Sequence, residues 1–294
     1  MNSITYEDII QSKKLSPEEL KKDLTKVLAF KAETNERKFC GNPFLYHFQL
    51  ANMLETRRKY PLLREMMADP TLKEKLIKEA EKRSRNGTNA DKLYECYRVN
   101  KGAVVLFKTA TAKFLYKKFG ATSVLDPTAG WGGRMLGAWA LNIAYTGIDT
   151  NTSLKPAYNE MMDFIRENGW DTSKLNMIWE SCLTADFEAI DYDFVLTSPP
   201  YINLEQYPHM TKWDTSKAFY SDFLIPLLKK CLTHIKRDGK VCFNISPEMY
   251  DELLSNGFRR ADEEYDLLQM KRKGKDKGDK IYIWYSTSSP PPRS

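Results

Sequence analysis

The chain has 294 residues, 42% of them apolar and 29% charged, with a formal net charge of +6, a length that accommodates one domain of about 200 residues with an appendage, or two modest domains. No apolar run approaches the ~18 residues of a membrane span, and the N-terminal "MNSITYEDIIQSKK" lacks the basic-then-apolar pattern of a secretory signal. Five scattered cysteines (Cys40, Cys96, Cys182, Cys231, Cys242) with no CxxC pair read as reduced thiols of an intracellular protein, and three dispersed histidines (His47, His209, His234) make no zinc cluster, so no metal is expected.

In "SPEELKKDLTKVLAFK", Ser16 is an N-cap, Pro17 occupies the first helical position and Glu19 stands three residues after the cap. Leu20, Leu24, Val27 and Leu28 follow on one face, so a capping box opens an amphipathic helix. Further helices are expected over about 43–59 and 70–85, the second stopped by Asn86 and Gly87. Residues 1–99 therefore read as a helical N-terminal region.

After residue 100 the pattern changes. "TSVLD", "IAYTGID", "LNMIWES", "YDFVLTS", "GKVCFNIS", "EEYDLLQM" and "IYIWYS" are β-type runs, with amphipathic helical stretches at 134–141 and 154–168 between the early ones. Such alternation calls for parallel strands with crossover helices, an open α/β sheet. The ten-residue connection "KRKGKDKGDK" between the last two runs has no room for a helix and fits a hairpin, so the last strand should be antiparallel. The closing residues 287–294 read as a disordered tail.

The first run ends in "VLDPTAGWGGRML": Asp126, then Gly130, Gly132 and Gly133, then a helix. Strand, glycine loop and helix start bring backbone amides close to a nucleotide-like ligand. Asp126 stands where a carboxylate would accept from an ammonium group, and a phosphate loop would not put an anion there. No lysine follows the glycines as a P-loop requires. The next run ends on Asp149, about twenty residues on, the offset at which an acid meets ribose hydroxyls. A nucleoside bearing a cationic amino-acid tail fits this pattern better than ATP.

Further on, "LTSPPYINL" places Pro199 and Pro200 directly after the apolar run "YDFVLT". Neither proline donates to a sheet ladder and each restricts its neighbour, so the strand must end there in a stiff turn, Ser198 to Tyr201.

"DPTAGWGGR" followed by "SPPY", each at the end of an expected strand, resembles the S-adenosylmethionine-dependent methyltransferases of the exocyclic-amino class, which methylate N6 of adenine or N4 of cytosine in DNA. The resemblance spans about residues 100–286. It implies a Rossmann-like seven-stranded methyltransferase sheet with the last strand antiparallel. It further implies S-adenosylmethionine as cofactor, with Asp126, Thr128, Gly130, Gly132 and Gly133 at its methionine part, Asp149 at its ribose, and Phe107 touching it from ahead of the first strand. Ser181 or Cys182 would meet its adenine ring. Among members, the chain most resembles adenine-specific enzymes of viral and phage genomes, which puts adenine N6 slightly ahead of cytosine N4.

The chemistry suits the turn. An aromatic amine is a poor nucleophile because its lone pair is delocalised into the ring. Two acceptors, Ser198 Oγ and the Pro199 carbonyl, would draw its hydrogens toward a tetrahedral arrangement, while Pro200 keeps the turn rigid and Tyr201 offers a face to stack on. A base in duplex DNA must flip out to reach such a turn. No Pro-Cys dipeptide occurs, which argues against methylation at cytosine carbon 5 through a thiolate.

The same turn would serve an RNA base amine. A catalytically silent binding subunit of the same fold is a further alternative, and a dehydrogenase is disfavoured by Asp126 and leaves the prolines unexplained. With no room for an inserted recognition domain, contact with DNA falls to residues 1–99, to "INLEQYPHMTKWDTS" and to "KRKGKDKGDK", whose six basic and two acidic residues suit phosphates. Tyr207 and Trp213 either cover a flipped base or pack the loop. "RRKY" (57–60) and "KRSRN" (82–86) read as solvated helix surface.

Overall fold

The computed structural model describes residues 1–57, 60–82, 86–102, 104–202, 206–207, 209–267 and 278–286. Seven strands, β1 (Ser123–Asp126), β2 (Ala144–Ile148), β3 (Leu175–Ile178), β4 (Phe194–Thr197), β5 (Lys240–Ile245), β6 (Glu263–Asp266) and β7 (Lys280–Tyr285), form one sheet in the order β3-β2-β1-β4-β5-β7-β6. The pairings among β1 to β5 are parallel, and β7 runs antiparallel to both β5 and β6. The seven apolar runs thus became the seven strands, with the last one antiparallel as its short connection requires. All of β4 and Val241 to Ile245 of β5 are buried, as central parallel strands covered on both faces must be.

Sequential crossovers leave β1 toward one edge of the sheet and β4 toward the other. A crevice therefore opens beyond the carboxyl ends of these two neighbours, the place where open α/β sheets bind ligands. The glycine loop leaves β1 and the proline turn leaves β4, so both arrive at this crevice.

The helices among the described residues are α1 (Tyr6–Gln11), α2 (Pro17–Ala29), α3 (Asn42–Leu54), α4 (Leu63–Ala68), α5 (Pro70–Glu81), α6 (Asn89–Tyr97), α7 (Thr109–Lys118), α8 (Gly133–Trp139), α9 (Lys155–Glu167), α10 (Ser216–Phe219), α11 (Ile225–His234) and α12 (Pro247–Ser255). One apolar cluster covers the first face of the sheet with residues of α2, α3, α7, α8 and α9, and a second covers the other face with residues of α10, α11 and α12. A third lies within the N-terminal helices α1, α3, α4, α5 and α6. None of the described helices is long and apolar enough to cross a membrane.

Ser16 and Glu19 cap α2 reciprocally, as the sequence foretold. The N-terminal helices are also knitted by polar contacts to one another and to α7. Buried Asp23 of α2 accepts from the Gly41 and Phe44 amides at the start of α3 (both 3.1 Å), and Lys113 of α7 donates to the Val27 and Leu28 carbonyls at the end of α2 (2.8 and 3.0 Å). The helix expected over 43–59 stops at Leu54 because Arg57 exchanges both backbone hydrogen bonds with Gln206, in the segment after the proline turn. The helix expected over 70–85 ends at Glu81. The tail 287–294, most of "KRKGKDKGDK" and parts of "RRKY", "KRSRN" and "INLEQYPHMTKWDTS" lie outside the described residues.

Candidate active site

The crevice is a cleft of about 1020 Å³, at the upper end of the size of single-ligand cavities. Its lining brings together Phe107, Thr128, Gly130, Gly133 and Asp149 from the first motif and Ser198, Pro199, Pro200 and Tyr201 from the second. Ser181 and Cys182 line it too, as do Tyr207 and Trp213. Gly132 and Asp126 are the two expected site residues that are not on its surface.

The glycine loop is held from behind by one cation. Arg134, in the first turn of α8, donates through Nε to Asp126 Oδ2 at 2.7 Å, and its other nitrogen reaches the Thr128 and Ala129 carbonyls. Tyr145 donates to the same carboxylate oxygen at 2.8 Å, while Asp126 Oδ1 has no hydrogen-bond partner. The pair is buried, with Asp126 fully inaccessible and Arg134 4% exposed. Burial alone would lower the guanidinium pKa, but the Asp126 charge and hydrogen bond outweigh it and the pKa is raised. The guanidinium also lies 5.1 Å from the centre of the Phe107 ring, so the same group positions the residue ahead of β1.

Two glycines are needed for shape. Gly132, the N-cap of α8, has φ +89°, in the left-handed region that favours glycine. At Gly133 a Cβ would stand 2.2 Å from the Phe107 carbonyl oxygen, so only glycine lets that chain segment pass.

Asp149 ends β2 with its carboxylate fixed by backbone amides: Gly130 donates to Oδ2 at 2.8 Å and Asn151 to Oδ1 at 2.9 Å. Desolvation raises its pKa, against the lowering effect of those two amides. Each oxygen retains lone-pair capacity toward the cleft, the arrangement a vicinal diol would use. Tyr158 closes the loop by donating to the Gly130 carbonyl at 3.0 Å.

The two motifs touch directly: the Thr128 and Thr197 hydroxyls are 2.6 Å apart, so the glycine loop and the strand feeding the proline turn form one unit. Ser198 Oγ accepts from Asn244 Nδ2 at 2.9 Å. Tyr201 is largely enclosed. Burial, and next the charge of Asp279, push its phenol pKa up, so it stays protonated. Trp213 packs on Phe219 and Phe223 (centroids 5.0 and 5.1 Å) and Tyr207 lies 6.0 Å from Trp131, so each both packs the loop and faces the cleft. Burial raises the Cys182 thiol pKa to about 12, so it remains a neutral, apolar part of the wall.

At the far rim, Asp266, Leu267, Gly278, Asp279 and Lys280 line the cleft, so the β6–β7 connection leaves from its edge. Among the described residues of the lining, Asp149, Glu180, Asp214, Asp222, Asp266 and Asp279 stand against Arg134, Lys212 and Lys280, and Glu180, Asp214, Asp222 and Asp266 are exposed.

Asn244 and Arg134 escaped the reading of the sequence. The signal for Asn244 was a polar residue near the carboxyl end of the otherwise apolar "KVCFNI", and the signal for Arg134 was a charge directly after the glycines, facing an aspartate.

No family model matches the chain, and neither does any curated protein sequence. Among solved structures it is similar to an rRNA methylase from Streptococcus thermophilus (12% identity, TM-score 0.40, 63% of this chain and 99% of that one). It is also similar to an RNA methyltransferase from Salinibacter ruber in complex with S-adenosyl-L-homocysteine (13%, 0.39, 64% and 97%). A methyltransferase from Geobacter sulfurreducens aligns over 74% of this chain and 98% of its own at 12% identity and TM-score 0.42. Likeness at this level decides nothing about the reaction.

Proposed function

We propose that this protein is an S-adenosylmethionine-dependent methyltransferase acting on an exocyclic amino group of a nucleic-acid base. The observation that carries the reading is the single cleft shared by the glycine loop, Asp149 and the Ser198–Tyr201 turn, tied together by the Thr128–Thr197 contact. The donor set fits the cofactor: a carboxylate braced by two backbone amides for the ribose diol, a glycine loop with Phe107 beside it, and a volume with room for a second flat ring. When bound, the cofactor supplies an electrophilic methyl group, which the amine lone pair takes as the carbon–sulfur electrons return to sulfur and one amine proton passes to solvent.

The chain's own contribution is binding and orientation. Ser198 Oγ and the Pro199 carbonyl accept the amine hydrogens, Pro200 limits the turn's movement, and the Tyr201 ring supports the base. Asp126 acts from behind the wall, holding the loop through Arg134. A cleft with room for one base beside the cofactor fits a base flipped from duplex DNA. Adenine N6 stands slightly ahead of cytosine N4 on the resemblance alone.

The test is mass spectrometry of nucleosides from duplex DNA, single-stranded DNA and RNA after incubation with the purified protein and S-adenosylmethionine. N6-methyladenine or N4-methylcytosine in DNA is expected. Methylation of RNA alone would move the substrate to RNA, and no methylated amino nucleoside from any polymer, with the cofactor bound by calorimetry, would overturn the reading.

A further inference from the structure

Asn244 is 4% exposed in the middle of a sheet whose neighbouring residues are apolar, and it faces the cleft from the carboxyl end of β5. Its Nδ2 donates to Ser198 Oγ at 2.9 Å, whereas its Oδ1 is buried with no hydrogen-bond partner. An amide that served only to hold Ser198 would leave this oxygen a standing cost, since buried acceptors are almost always paired. Packing gives no reason for it: Val241, Phe243 and Ile245 fill the opposite face of the strand, and Cys242 on the same face is fully buried.

Because Asn244 Nδ2 occupies one lone pair of Ser198 Oγ, the serine has less to offer the substrate than its place in the turn suggests. The unpaired amide oxygen next to it makes up the difference. We infer that Asn244 contacts the substrate, its Oδ1 joining the Pro199 carbonyl as an acceptor of one hydrogen of the target amine while its Nδ2 fixes Ser198 to accept the other. This rests on the amino-methylation reading above and adds to the turn a residue 46 positions away in the chain. The amine hydrogens are then drawn from two directions by groups of two adjacent strands, which a single turn does less well.

Two variants test it. Asn244→Leu removes the acceptor, and turnover should fall by about 10²–10³, the loss seen when one preorganised hydrogen-bonding group is removed. Cofactor affinity by calorimetry and the cooperativity of thermal unfolding should stay as in the parent. Binding of a fluorescein-labelled single-stranded oligonucleotide, followed by anisotropy, should weaken. Asn244→Asp always keeps an acceptor but can donate to Ser198 only while its carboxyl is protonated, so its pH–rate profile should gain an acid limb, with turnover rising as pH falls, that is absent from the parent. Turnover of Asn244→Leu within about threefold of the parent would overturn the inference, as would an Asn244→Asp variant that is inactive at every pH. If Asn244→Leu does not fold, the acid limb of Asn244→Asp decides alone. A parent that methylates no base amine refutes the functional reading instead, while an active parent with an equally active Asn244→Leu refutes only this inference.

Discussion

The two walls of the cleft are built on opposite principles. On the β1–β2 side the polar groups named above are braced within the protein: each Asp149 oxygen accepts from a backbone amide, and Arg134 donates to Asp126 and to loop carbonyls. On the β4–β5 side the Asn244 oxygen is buried without a hydrogen bond. The first wall is a finished mould, rigid before anything binds. The second is left incomplete where the reacting group would sit. A methyltransferase of the kind proposed, holding one ligand in a constant pose and reshaping another, would need both.

The largest expected effect breaks the mould. Arg134→Leu leaves Asp126 buried and uncompensated and should cost about 3–5 kcal/mol of stability by urea unfolding, most of it recovered when Asp126→Leu is added. A loss well below that would mean that the loop does not depend on the pair.

Next comes Asp149→Asn, which should weaken cofactor binding about 10- to 100-fold, the value of hydrogen bonds to a charged group. The parent should show a matching pH dependence. Burial raises the Asp149 pKa, so the carboxylate takes up its proton at a higher pH than an exposed aspartate does. Cofactor affinity should therefore fall as pH falls through that raised value, and the asparagine variant should be flat. Equal pH profiles by calorimetry would remove Asp149 from the binding set.

On the open wall, Tyr201→Ala should leave cofactor affinity unchanged and weaken oligonucleotide binding by the ~1–3 kcal/mol of one base stacked on an aromatic ring. Loss of cofactor binding instead would show that the two walls are not separate. The smallest effect belongs to the seam between them: Thr197→Val removes one hydroxyl of the Thr128–Thr197 contact and should cost about 1 kcal/mol of stability. Thr128→Val added to it should cost less than the sum of the single changes.

The sheet was legible because its information is local. Each strand is an apolar run bounded by turn residues, and a ten-residue link between the last two runs left only a hairpin, so strand count and direction followed. The glycine loop and the proline turn were legible for the same reason, since each acts through consecutive residues. What stayed hidden depends on lateral neighbours. Nothing near Asn244 in the chain indicates that β5 lies beside β4 in register Thr197 to Phe243, yet that pairing sets its amide against Ser198. Likewise, Arg57 reads as part of a helix until tertiary pairing with Gln206 claims its backbone groups.

The helices ahead of the sheet have a practical bearing on how the protein is handled. Leu45 of α3 packs against the positions of Gly132 and Gly133, and the chain just after α3 is hydrogen-bonded to the segment that follows Tyr201. A shortened chain starting near residue 100 would strip a buttress from beneath the glycine loop and a tether from the mouth at once. Such a fragment should be judged by its cofactor affinity, because the sheet alone would carry the fold without the working shape of its pocket.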